Sequence, residues 1–162
     1  MYLNQTLKSQ AKEILDLAKE KNIKLAFAES CTGGLLSALF TEIPGSSAVI
    51  DRSFITYSNQ AKIEMLDVNE QTLEKFGAVS EETAKEMAKG AIKNSTAQIS
   101  ISITGIAGPD GGSEEKPVGL VYIGVSSPKK TQVRKFNLYG NRSEVRKSAI
   151  IQSLNIIIKN FS

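Results

Sequence analysis

The segment AESCTGG, Ala28 to Gly34, constrains the fold more than any other part of the chain. It follows an apolar run, Ile23 to Ala28 with Lys24 interrupting, and runs directly into the helical pattern LLSALF. That order predicts a strand, a turn of hydroxyls and glycines, and a helix start. Glycines there allow close backbone approach to a ligand, and the first N–H groups of a helix attract anions. A chain that passes from strand to helix through such a turn belongs to the α/β class.

The rest of the chain extends this pattern. Leu7, Ala11, Ile14, Leu15 and Ala18 recur at helical spacing, which predicts an amphipathic helix near 5–21 ending at Asn22. The strand Ile23–Ala28 is followed by a helix over Gly33–Glu42 that Pro44 and Gly45 stop. A strand over Val49–Tyr57 leads to Ser58 and Asn59, which can cap a short helix through Leu66. Another short helix, Glu70–Phe76, ends at Gly77. Ser80 with Glu81 and Glu82 then opens a helix that runs to Lys93. Strands are expected over Gln98–Thr104, Val118–Ser126 and Thr131–Leu138, and a last helix over Ser143–Asn160.

Helices alternate with strands early, and two strands follow one another late. This predicts a single three-layer α/β/α domain over residues 1–162. Its mixed sheet of about five strands should be mostly parallel, with at least one antiparallel hairpin pair. Between them lies Gly105 to Pro117, which holds four of the twelve glycines and has the composition of a binding loop.

Composition narrows the function classes. A formal net charge of +3 is too small and too evenly spread to argue for nucleic acid. The adjacent basic pairs Lys129–Lys130 and Arg146–Lys147 read as solvated faces. The single cysteine, Cys31, excludes an internal disulfide and suits a reducing cytoplasm. MYLNQTLKSQ lacks the features of a signal peptide, and no apolar run nears the ~20 residues needed to span a bilayer. A cytoplasmic protein without membrane partners is expected.

Chemistry is expected in three segments: AESCTGG, Pro44 to Lys62, and Thr104 to Gly119. Ligands of open α/β sheets gather beyond the carboxyl ends of parallel strands. The chain has no histidine, so a serine or threonine nucleophile could be activated by a lysine, a terminal amine or a carboxylate. Lys62 lies four residues after Ser58 and five after Tyr57, and Ser46 and Ser47 precede the same strand. The plainer alternative is that Ser58 caps a helix and Lys62 reaches water. As a general base Lys62 must lose ~3 pKa units, about 4 kcal/mol against its charged form. Burial or a nearby cation such as Arg52 or Arg142 can supply this.

Cys31 is a rival nucleophile at a helix start, or else a small buried residue in a tight turn. Glu29, Asp51, Asp110, Glu114 and Glu115 show no metal-loop spacing, so no metal or other cofactor is expected. GIAGPDGG matches neither the P-loop nor the dinucleotide fingerprint. Arg142 is either a clamp for phosphate or carboxylate or a surface residue at a helix start.

Taken in order, AESCTGG, FITYSNQAK, GAVSEETA, TGIAGPDGGSEEKPVG and GNRSEVR resemble the CinA C-terminal domain family over about residues 5 to 160. Two departures are mild: Ser53 stands where glycine is usual, and Thr104 where serine is common. Stand-alone members of that family are nicotinamide-nucleotide amidases. The resemblance therefore implies deamidation of nicotinamide mononucleotide to nicotinate mononucleotide and ammonia. It implies a metal-independent serine amidase with a lysine base, an α/β/α fold and a homodimer.

Carried over residue by residue, Ser47 of PGSS is the implied nucleophile, with Ser30 and Ser58 as alternatives. Tyr57 and Lys62 would handle protons, and Arg142 would contribute to the site. Ser30, Thr32, Gly33, Gly34, Thr104 and Gly105 would meet the substrate, with the helix start at 32–34 seating either the phosphate or the carboxamide. A different class remains beside it: a non-catalytic nucleotide-binding or regulatory module of the same fold. A nucleic-acid-associated competence factor, suggested by the family's name alone, conflicts with the weak charge.

Overall fold

The computed structural model describes residues 4–161; the domain limits expected at 1 and 162 lie outside the described residues. Five strands form one sheet: β1 (Leu25–Glu29), β2 (Ile50–Ile55), β3 (Ile99–Gly105), β4 (Leu120–Ser126) and β5 (Thr131–Asn137). They lie in the order β2-β1-β3-β4-β5. β1 pairs in parallel with both β2 and β3, while β3–β4 and β4–β5 are antiparallel. Parallel and antiparallel pairings are thus equal in number, and the parallel half carries the site. Six helices cover the sheet: α1 (Gln5–Glu20), α2 (Leu35–Thr41), α3 (Asn59–Leu66), α4 (Glu70–Phe76), α5 (Glu81–Lys93) and α6 (Arg142–Phe161).

Alternation along the strands sorts the two faces. Leu25 and Phe27 of β1 and Ile99, Ile101 and Ile103 of β3 enter the larger core beneath α1, α2 and α6. The opposite face holds Ala28, Phe54, Leu66, Met87 and Ala91, packed beneath α3, α4 and α5. On that face Ser100 and Ser102 of β3 donate to the carbonyls of Ala88 and Ala84 in α5, at 2.6 Å each. Small hydroxyl residues therefore let α5 lie close on the sheet without leaving a polar group unpaired.

One glycine places α3. A Cβ on Gly90 of α5 would collide with the backbone of Leu66, so only glycine lets the end of α3 approach there. Leu66 is the last residue of α3, and Lys62 lies one turn before it. The crossing of α3 over α5 thereby sets where the Lys62 side chain begins. Ser58 caps this helix, its hydroxyl accepting from the Ala61 N–H at 3.0 Å.

Candidate active site

β1 and β2 run in parallel, so their carboxyl ends share one edge, and Ser30 and Tyr57 emerge side by side there. Between them Lys62 reaches back from α3 toward the sheet, and its side chain is fully buried, at 0% exposure. Its ammonium donates to the carbonyl of Thr56 at 2.7 Å, to Ser30 Oγ at 3.0 Å and to the carbonyl of Tyr57 at 3.2 Å. The amine does not reach water, contrary to the plainer sequence expectation.

Burial pushes the Lys62 pKa down to about 8 from its ordinary 10.5. The three partners are chemically unequal. Two are carbonyls, which only accept, and one is a hydroxyl, which can also donate. A neutral amine keeps both carbonyl bonds with its two remaining protons and turns its lone pair to Ser30. The geometry suits proton transfer from that hydroxyl.

Ser30 stands at the floor of a cavity of about 250 Å³, bounded by Cys31, Tyr57, Lys62, Ala78, Thr104, Gly105, Asp110 and Arg142 among others. Thr104 spends its hydroxyl proton on the carbonyl of Ala78 at 2.7 Å, which ties two of the lining residues together. At the mouth, Arg142 opens α6 and donates from Nη1 to the carbonyl of Gly108 at 2.8 Å and from Nη2 to the Tyr57 hydroxyl at 3.0 Å. Tyr57 is itself 60% exposed. The arginine thus ties the glycine-rich loop to the tyrosine across the opening. Among the described residues no acceptor takes the backbone N–H of Ala107 or Gly108.

The turn after Ser30 is held from two sides. The buried carboxylate of Glu29 accepts from the N–H groups of Gly34 at 3.2 Å, Leu36 at 3.1 Å and Ser37 at 2.9 Å. Gly34 reaches this position with φ at +94°, in the left-handed region. From α6, Arg146 donates to the carbonyls of Cys31 at 3.1 Å and Thr32 at 2.9 Å. The expectation of a solvated basic face at Arg146 is therefore corrected. Its spacing within α6 could not show that α6 lies over the turn.

Two expected placements need correction. Ser47 lies exposed in a short 3-10 turn (Ser46–Ala48) before β2, and not near Lys62. The N–H of Leu25, at the start of β1, bonds the carbonyl of Val49. Ser47 is therefore at the amino edge of the sheet, about 20 Å of strand from the carboxyl edge. The hydroxyl that meets the lysine is Ser30, and Ser58 serves as a cap. The helix start at Thr32, Gly33 and Gly34 is no seat for a substrate anion, because Glu29 already fills it. Those three residues do not line the cavity, whereas Ser30, Thr104 and Gly105 do.

Cys31 also borders the cavity, but burial pushes its thiol up to about 11 from 9.0, so the thiolate is scarce at neutral pH. Iodoacetamide at pH 7.5 is expected to leave the folded protein unmodified and to alkylate Cys31 in denaturant. Mass spectrometry reads both, and prompt labelling of the folded form would contradict the burial argument. Among the described residues no group of three or more acidic or cysteine side chains is arranged to hold a metal. No helix among them is long and apolar enough to cross a membrane.

A three-layer α/β/α domain with a buried lysine–serine pair at the carboxyl edge of its parallel strands defines the class. Residues 7–161 match the CinA C-terminal domain, and the chain belongs to that family. It is 50% identical over 156 residues to a putative competence-damage inducible protein of Caldicellulosiruptor saccharolyticus, covering 96% of this chain and 37% of that protein. A CinA-like protein of Endomicrobium trichonymphae is also 50% identical, over 95% of this chain and 35% of its own length. The chain thus spans about a third of the length of these curated relatives.

Among solved structures, the competence/damage inducible protein CihA from Agrobacterium tumefaciens is 42% identical with a TM-score of 0.94, covering 97% of this chain and 96% of that one. A CinA superfamily protein from Escherichia coli is 31% identical with a TM-score of 0.92, covering 98% and 93%.

Proposed function

We propose that this protein is a serine amidohydrolase that converts nicotinamide mononucleotide to nicotinate mononucleotide and ammonia, with Ser30 as nucleophile and Lys62 as base. The observation that carries the reading is the fully buried Lys62 amine 3.0 Å from Ser30 Oγ at the floor of the cavity. Membership of a family with amidase members, by the resemblance above, supplies the substrate.

In this reading Ser30 Oγ attacks the carboxamide carbon and its proton passes to neutral Lys62. Backbone N–H groups of the Ala107–Gly108 stretch are candidates for holding the oxyanion. As the intermediate collapses, the C–N bond breaks and the nitrogen takes the proton from Lys62, leaving as ammonia. Tyr57 can assist, because its hydroxyl accepts from Arg142 and keeps its own proton for the cavity. Water then attacks the Ser30 ester, Lys62 takes its proton and returns it to Ser30, and the carboxylate product departs. No step needs a metal or cofactor.

The test is ammonia release from nicotinamide mononucleotide by the protein with chelator present. The rate is expected to rise with pH through an inflection near 8, where Lys62 becomes neutral. At pH 7 only about a tenth of the molecules hold the neutral amine. Calorimetric binding without product, even after long incubation at pH 9, would favour the non-catalytic nucleotide-binding module. The same shift affects stability. Below pH 8 the amine is protonated in both folded and unfolded chains, and the folded state bears the full cost of burying the ammonium. Between about 8 and 10.5 the unfolded chain binds the extra proton, so this contribution makes the folded state more stable as pH rises.

A further inference from the structure

Asp110 lines the same cavity as the lysine–serine pair and is exposed to solvent, in the loop that Arg142 holds through the Gly108 carbonyl. Arg142 and Asp110 line the same cavity with opposite charges, yet no ion pair joins them. The ion pairs among the described residues all lie elsewhere. The Asp110 carboxylate also makes no hydrogen bond within the described chain, whereas the other acidic side chain beside the site, Glu29, is fully engaged in capping α2. The cavity lining therefore carries two charges that do not pair with each other, the Arg142 guanidinium and the solvent-exposed Asp110 carboxylate.

A charge pair held apart in this way suits a ligand that is itself zwitterionic. We propose that Asp110 selects the positively charged pyridinium ring of an N-glycosylated nicotinamide, while Arg142 takes the anionic phosphate. This rests on the amidase reading and adds the element that distinguishes substrates. A pyridine carboxamide carries a ring charge only when its nitrogen is substituted, so Asp110 favours the nucleotide over the free base. Asp110 is a specificity residue, and the proton transfers do not involve it.

Nicotinamide mononucleotide and its 1,4-dihydro form isolate the ring charge, because they share ribose, phosphate and carboxamide. Calorimetry with the Ser30→Ala protein, which cannot turn over the oxidised form in this reading, is expected to show tighter binding of the oxidised nucleotide by about fivefold, the scale of a solvent-accessible charge pair. Adding Asp110→Asn should bring the two affinities together, mainly by weakening the oxidised form. Equal weakening of both forms would make Asp110 a ribose-hydroxyl contact and overturn the proposal, as would an unchanged preference or no binding of either form. The amidase reading fails separately, if the wild-type protein releases no ammonia from the oxidised nucleotide while the charge preference persists.

Discussion

Replacing Lys62 with methionine is expected to leave a folded protein whose deamidation rate falls by about 10²–10⁴-fold, the range removed with a general base. Methionine fills nearly the same buried volume, so the packing of α3 on α5 and of Leu66 against Gly90 is kept. The carbonyls of Thr56 and Tyr57 and the Ser30 hydroxyl lose their shared partner, at a cost of about 1–3 kcal/mol. Relief from burying an ammonium offsets part of that cost. The Lys62→Arg variant separates charge from basicity, since a guanidinium can donate to the same oxygens but cannot give up its proton at any relevant pH. It is expected to be as inactive as the methionine variant. Thermal melting alongside ammonia release checks both. An arginine variant with near-wild-type turnover would mean that the positive charge, and not a lone pair, does the chemistry.

The second large effect is on stability and does not depend on any substrate. Glu29→Ala is expected to destabilise the protein by about 3 kcal/mol, because it strips the acceptor from three N–H groups at a buried helix start. For a chain of this size that is a drop of about 6–12 °C in the melting midpoint. Glu29→Gln retains one carbonyl oxygen for these donors and should lose roughly half as much. Ser30 follows Glu29 directly, so loosening the turn should also lower the rate in proportion. Denaturant titration of the three proteins tests the order wild type, Gln, Ala. Equal stability of all three would mean that solvent reaches these amides and that the carboxylate does not organise the turn.

Most of the secondary structure was legible because it rests on local signals. The hydrophobic spacing of α1 and α6, the Ser58 and Ser80 caps, and the alternation of QISISIT each lie within one element, and the structure follows them to within a few residues. The spacing of Lys62 and Tyr57 and the family resemblance point to Tyr57, Lys62, Thr104 and Arg142 as neighbours, and the structure gathers these four around one cavity. Three placements were not legible. Ser30 follows β1 and Ser47 precedes β2, so chain order puts them at opposite edges once the two strands pair in parallel; that pairing joins distant segments and no local signal carries it. The anion-binding character of the α2 start was read correctly, but its occupant, Glu29, lies in the strand before it. Arg146 looked like half of a surface pair because its partners, the carbonyls of Cys31 and Thr32, are more than a hundred residues away in sequence.

The amino-acid sequence alone determined the order of elements, the α/β class, the absence of an imidazole and the presence of an amine that could replace it. Those are properties of periodicity and residue type, which act over a few residues. Only the tertiary structure decided that the amine is dry, which hydroxyl it faces and that Glu29 fills the α2 start. Each of these depends on packing between distant segments: α3 crossing α5 at Gly90, β2 lying parallel to β1, and α6 folding over the turn. Burial and direction arise from that packing, and they give an ordinary lysine a lowered pKa and a single hydroxyl in reach.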